Sequence, residues 1–264
     1  MNKDFLINSS SNNFKLIILT TCWNIEKYAE RYIKSLIEQT HTNFVAYIID
    51  DVSTDKTYEI LYNLTCLDKR FIIIKNEEKK FKTKNFIDII KDKDNSNINE
   101  NDVIVEIDGD DKLSDNDVLQ DIFNIYNNNN IWISNSRWLD TNGKNFKNYG
   151  KANPENARFG PWNFSHLRTY RVFLFRLIKD EHLKYKGEYF KAACDLGYSI
   201  PMLEMAGTEH YFFLDRVTYI YQWHSNQTYS VNSPVKNPKL QGETARYIMY
   251  KLPPYKKIYL NNSG

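Results

Sequence analysis

Short unbroken apolar runs alternate with segments of helical period through the first half of the chain, and this alternation leaves few folds open. Residues 14–19 (FKLIIL) and 44–49 (FVAYII) contain no breaker and are rich in isoleucine, the form of strands buried on both faces. Between them, residues 26–38 place Tyr28, Ala29, Tyr32, Ile33, Leu36 and Ile37 on one helical face, with Asn24 as the expected N-cap. Residues 56–64 form a second helix, and residues 71–74 and 81–90 repeat the strand–helix unit. Residues 102–107 (DVIVEI) make a fourth strand, and residues 115–126 its helix, with Val118, Ile122, Phe123 and Tyr126 facing inward. Such a chain closes as an α/β fold, a mostly parallel central sheet flanked by helices with right-handed crossovers. Ligands of these sheets gather outside the carboxyl ends of the strands.

Beyond residues 131–134 the alternation stops. Residues 135–162 read as a loop region, 172–178 and 188–205 as helices, and 217–222 as a strand. The expected organisation is a disordered Ser/Asn-rich leader at 1–13, a ligand-binding half at 14–134, a second half of the same domain at 135–232, and a tail at 233–264. Residues 91–101, charged and featureless, form a surface excursion, and residues 247–259 are apolar enough to dock on the body or on a second copy in a homo-oligomer. Thirty-five Lys and Arg against 33 Asp and Glu leave +2, which excludes nucleic acid as the main partner. Cys22, Cys66 and Cys194 form no CxxC pair, which argues against a disulfide framework or a cysteine zinc site and suits a reducing, cytoplasmic location. No run approaches the roughly 18 apolar residues of a membrane span, so no transmembrane segment is expected.

Three polar clusters follow the strands: Thr20, Thr21, Cys22, Trp23 and Asn24; then Asp50 and Asp51 with Ser53 and Asp55; then Asp108, Gly109, Asp110 and Asp111. Three carboxylates in four residues repel one another unless a cation sits among them, and Mg²⁺ or Mn²⁺ prefers such oxygen ligands and shares them with phosphates. Gly109 is expected to permit the turn that converges them, although a simple capping turn has the same composition. A carboxylate after a strand also accepts hydrogen bonds from a base N–H or a ribose hydroxyl, a role assigned here to Asp51, with Asp55 as the cap of the next helix. Trp23 either stacks on a base or closes the core edge.

The stretch IILTTCWNIEKYAERYIKSLIEQTHTNFVAYIIDDVSTDKT, with EIDGDD placing Asp108 57 residues after Asp51 (108 − 51), resembles the start of family 2 nucleotide-sugar glycosyltransferases with the GT-A fold. The usual first-loop proline is replaced by Thr20-Thr21-Cys22, and the familiar Ala-Arg-Asn segment survives only as Lys84-Asn85. The resemblance implies hexosyl transfer from a nucleotide-diphosphate donor, most commonly a UDP-sugar, to a hydroxyl of a glycan, protein or lipid. It implies a Mn²⁺ or Mg²⁺ cofactor on Asp108 and Asp110, and a nucleoside held by Asp50, Asp51, Lys84 and the loop from Thr20 to Trp23. It also implies a histidine metal ligand after a late strand, matched by His224, which otherwise reads as a surface or capping residue. Inverting transfer needs a base for the acceptor hydroxyl. Asp195, flanked by small apolar residues, fits the helix start where similar enzymes carry it, and Glu204 is the second choice. In the dense segment 160–171, Trp162, His166 and Arg168 are assigned to the donor sugar or acceptor, and Leu167 and Tyr170 to the core. Two rivals remain: a sugar-phosphate nucleotidyltransferase, disfavoured because residues 20–26 lack the glycines and cations of a triphosphate loop, and a non-catalytic sugar-nucleotide-binding module.

Overall fold

The computed structural model describes residues 13–92, 97–128, 130–143, 150–224 and 237–259, so the expected leader, except Asn13, and the last five residues lie outside it. Four strands form the first half: β1 (Leu16–Cys22), β2 (Phe44–Asp50), β3 (Phe71–Lys75) and β4 (Val103–Glu106). Helices α1 (Glu26–Ile37), α2 (Thr57–Thr65) and α3 (Phe81–Ile90) connect them, and the short β5 (Lys112–Leu113) and α4 (Val118–Tyr126) follow. The second half contributes β6 (Ile133–Asp140), β7 (Arg168–Arg171), α5 (Val172–Arg176), the hairpin β8 (Lys184–Tyr185) and β9 (Glu188–Tyr189), α6 (Cys194–Ala206), β10 (Tyr211–Tyr221) and α7 (Pro238–Tyr250).

Eight strands make one sheet in the order β3-β2-β1-β4-β7-β6-β10-β5. β1 pairs in parallel with both β2 and β4, and β2 with β3, as the crossover helices require. Strand order reverses between β1 and β4, which opens a crevice at their carboxyl ends. Side chains of β1 alternate between two cores. Ile17 and Leu19 pack with Phe86, Phe175 and Met202 on one face, while Leu16 and Ile18 pack with Ala29, Ile33, Leu61 and Ile122 on the other.

Several boundaries differ from expectation. β1 runs through Thr20, Thr21 and Cys22, which continue the ladder opposite Ile48, Ile49 and Asp50. Asn24 does not cap α1, because its side chain is turned to the neighbouring loop. β6 extends six residues past the expected end at Ser134, because Asn135 and Ser136 are buried with partners: the Tyr211 hydroxyl donates to Asn135 Oδ1 at 2.7 Å. α6 starts at Cys194, since residues 184–189 turn back as a hairpin and Ala193 takes a left-handed φ of 50°.

The C-terminal segment docks on the body. Ile248 of α7 is fully buried against Phe190 and Ile200, and the Ile258 amide donates to the Met205 carbonyl. Glu204 anchors this segment: Arg158 Nε and Nη2 lie 2.6 and 2.9 Å from its two oxygens, and the Tyr255 amide donates to it at 2.9 Å. That pairing spends Glu204 on packing and corrects its assignment to the acceptor side or to the base. Glu204→Ala leaves Arg158 buried without a counter-charge and should cost about 3–5 kcal/mol of unfolding free energy in urea titration; a loss below about 1 kcal/mol would mean the anchor lies elsewhere.

Candidate active site

The loops after β1 and β2 are laced together before either meets a ligand. The Asn24 amide donates to Ser53 Oγ at 2.9 Å, and Asn24 Oδ1 accepts from the Thr54 amide at 2.8 Å. Asp55 accepts from the Glu26 amide at 3.2 Å and the Thr57 amide at 3.0 Å, so one carboxylate serves the first turns of both α1 and α2. The Glu26 carboxylate in turn accepts from the Lys56 amide at 3.1 Å. Asp51 performs a similar service for α3, accepting from the amides of Lys80 and Phe81, both at 2.9 Å, and from Asn76 Nδ2 at 2.7 Å. Three residues here hold left-handed backbone, Asn24 (φ 52°), Val52 (φ 64°) and Phe81 (φ 61°). For branched or bulky side chains that conformation costs of order 1–3 kcal/mol each and gathers at functional sites.

These loops and the acidic turn after β4 enclose a cleft of about 620 Å³. Thr21, Trp23, Asn24, Asp51 and Lys79 line it together with Lys82, Asp108, Gly109, Asp110 and His224. Trp23 is 44% exposed, with the Lys79 ammonium 4.0 Å from its ring centre. Burial draws the Lys79 pKa below its ordinary value, against the opposing pull of Asp51 and Asp50. Gly109 is not in left-handed backbone; it is needed for space, because a Cβ there would lie 2.5 Å from Cys22 Sγ and 2.9 Å from Ile25 Cδ1. The acidic turn thus sits directly on the end of β1.

Two donor sets meet at this turn. Asp110 Oδ2 lies 2.6 Å from His224 Nε2, and both line the cleft. Among the described residues, Asp108, Asp111 and His166 also bring one ligand atom each within 4.8 Å of one another. Burial first, then Arg168, pushes the His166 pKa down to about 3, and its buried Nδ1 has no protein partner, so the ring is a neutral nitrogen donor. Asp111 is more committed: it accepts from the Tyr219 hydroxyl and the Gln222 amide, each at 2.6 Å. Burial, then Asp110 and Asp108, raises its pKa. Both sets are carboxylate and imidazole, a chemistry that fits Mn²⁺ or Mg²⁺.

Beneath the turn runs a chain of charges that includes groups sequence reasoning missed. Lys82 Nζ lies 2.6 Å from Asp108 and 2.7 Å from Glu106, Arg168 Nη2 lies 2.7 Å from Glu106, and Arg168 Nη1 lies 3.9 Å from Asp195. Burial alone would raise the Glu106 pKa, but Arg168 and Lys82 hold it at about 2. Asp108 is likewise held well below the usual carboxylate range: burial alone would raise it, but Lys82 and the other cationic groups around it, Arg168 among them, together outweigh burial. Glu106 did carry a signal, being a charge inside the apolar run DVIVEI.

The structure redirects several residues singled out in the sequence. Lys84 pairs with Asp88 one helical turn on and does not line the cleft; Lys82 and Lys79 do. Thr20 is buried with its hydroxyl 2.6 Å from that of Tyr32, and Asp50 is fully buried, accepting from the Ser53 amide at 3.3 Å. Trp162 packs against Phe164 and the core around Phe190. Arg168 lies under Glu106 rather than facing a sugar, and the His166 ring stacks on Tyr219 at 4.5 Å beside Asp108. Asp195 occupies the first turn of α6, a third exposed, beside Arg168.

Similarity to known proteins agrees with this geometry. A stretch of 66 residues is 39% identical to an uncharacterised glycosyltransferase of Haemophilus influenzae, covering 25% of this chain and 20% of that relative. The fold superimposes on residues 1–349 of S. aureus TarS in complex with UDP-GlcNAc, with a TM-score of 0.61 and 16% identity over 89% of this chain and 73% of that one. It also superimposes on GalNAc-T7 with UDP, GalNAc and Mn²⁺, with a TM-score of 0.56 and 14% identity over 88% and 48% of the two chains. The sheet and its flanking helices are those of the GT-A fold, and among the described residues no helix is long and apolar enough to cross a membrane. Residues 17–189, well over half the chain, match the profile of glycosyl transferase family 2, and the chain belongs to that family.

Proposed function

We propose that the protein is an inverting, divalent-metal-dependent glycosyltransferase that moves a hexosyl group from a UDP-sugar to a hydroxyl of a glycan, protein or lipid. The observation that carries this reading is the single cleft lined at once by Trp23 and Asp51 and by Asp108 and Asp110. Its volume of about 620 Å³ is that of a small-molecule site. UDP-GlcNAc bound to TarS and UDP with Mn²⁺ bound to GalNAc-T7 support the donor and the ion by analogy of fold.

In this reading the exposed Trp23 ring offers one face to the base, Lys79 covering the other, and Asp51 offers a remaining lone pair to a base N–H. Thr21, Cys22 and Asn24 shape the wall beside it. Asp108 and Asp110, with His224, are the residues assigned to hold Mn²⁺ or Mg²⁺. When bound, that ion supplies positive charge against the negative charge that develops on the departing diphosphate. Asp195 takes the proton of the acceptor hydroxyl as that oxygen attacks. Arg168 links it through Glu106 and Lys82 to Asp108, so only a few side chains separate the assigned base from the acidic turn.

Two measurements test the assignment. In a screen of nucleotide sugars with Mn²⁺, a UDP-hexose should be turned over; Asp195→Asn should leave donor affinity unchanged while transfer falls about 10²–10⁴-fold, and normal turnover would move the base elsewhere. In a Mn²⁺ titration followed by electron paramagnetic resonance, Asp110→Asn and His224→Ala should each weaken binding at least tenfold. If only His166→Ala does so, the ion belongs to the Asp108, Asp111 and His166 group.

A further inference from the structure

We propose that Glu106 is a positioning residue that holds Lys82 at the floor of the cleft as a fixed cationic contact for the donor's diphosphate, an inference that rests on the donor site proposed above. Glu106 ends β4 two residues before the acidic turn and exposes no surface. Its Oε1 accepts from Arg168 Nη2 at 2.7 Å and the Tyr198 hydroxyl at 2.8 Å, and forms an ion pair with Lys82 Nζ at 2.7 Å. An ionised group at the end of the run Val103-Ile104-Val105 is a poor choice for stability alone, since a buried ion cluster is often no more stabilising than apolar residues of the same volume. What the carboxylate adds is a fixed point for cations.

Of the two cations paired with Glu106, Lys82 is the one that lines the cleft. It lies in the first turn of α3, its ammonium between Glu106 below and Asp108 above, 2.6 Å from the latter. An ammonium has three N–H donors; Asp108 accepts from one of them, and Glu106 holds the ammonium as an ion partner. When Asp108 turns to another cation, the ion pair with Glu106 remains and the ammonium's N–H donors are left for the cleft. A lysine already tethered loses little rotamer freedom when an anion arrives, which is how preorganisation raises affinity. Arg168, buried on the other side of Glu106, keeps the carboxylate charge-balanced without entering the cleft.

Charge and position make opposite forecasts for Glu106→Gln. Removing a negative charge near the diphosphate should tighten its binding if charge were all that mattered; releasing Lys82 should weaken it. Calorimetry with UDP and with uridine, both in Mn²⁺, separates the two. Lys82→Met and Glu106→Gln should each weaken UDP about tenfold with uridine unchanged, and the double variant should bind UDP no more weakly than Lys82→Met alone, because both act through one ammonium. Lys82→Arg, which can still pair with Glu106, should restore most of the affinity. Tighter or unchanged UDP binding by Glu106→Gln, additive losses, or an equal loss for uridine would overturn the proposal. If Glu106→Gln does not fold, unchanged UDP affinity in Lys82→Met overturns it alone. Wild-type protein that binds neither ligand removes the donor site itself, whereas wild type that binds UDP with no effect of Lys82→Met removes only this inference.

Discussion

Parallel pairing of β1 with two neighbours is the constraint on which the site depends. Cys22 stands opposite Asp50 on one side and Leu19 opposite Glu106 on the other, so the loops after β1, β2 and β4 emerge at nearly one level. Because the strand order reverses at β1 and β4, no helix crosses that end of the gap, and the crevice stays open. Gly109 brings the acidic turn down onto Cys22 and Ile25; a side chain there would meet Cys22 Sγ and Ile25 Cδ1, so either those side chains or the turn would have to move. Residues separated by more than 80 positions thereby share one cleft.

Holding that cleft in shape consumes much of its own polar chemistry. Asp51 and Asp55 look from the sequence like ligands or caps, and both satisfy helix N-termini while still lining the cavity. A carboxylate accepting several N–H groups is fixed in position, which suits a surface that must meet a ligand without rearranging. Left-handed Val52 and Phe81 flank the same contacts, so the strain sits where Asp51 ties its loop to α3. Beneath the cleft, alternating charges from Asp108 through Lys82, Glu106 and Arg168 to Asp195 neutralise one another pairwise, which lets ionised groups persist beside a hydrophobic core.

Legibility tracked how local each cause was. Strands β1, β2 and β4 and helices α1 to α3 were readable because burial on both faces demands apolar runs and one-sided burial demands helical period. β6 was not, since Asn135 and Ser136 are buried polar residues whose partners come from distant segments, Tyr211 and Thr218 among them. Lys84 and Lys82 show the limit of pattern reading. Two residues apart on a helix they point about 200° from each other, and the sequence around them does not say which faces the sheet. Glu204 looked like an acid near the site, but Arg158, 46 positions earlier, claims it. Glu106 was visible as a charge in an apolar strand, yet its meaning depended on Lys82, Arg168 and Tyr198 arriving from three other elements.

Residue order by itself determined the α/β class, the parallel first half and the three polar clusters at the carboxyl ends of its strands, because each follows from periodicity over a dozen residues or fewer. Tertiary structure alone decided which members of those clusters face the cleft and which brace it. Side-chain direction is set by long-range partners, by Glu106 for Lys82 beneath the cleft as by Arg158 for Glu204 on α6. Such partners meet only once the chain has closed, and no local pattern records which of the available charges will be within hydrogen-bonding distance.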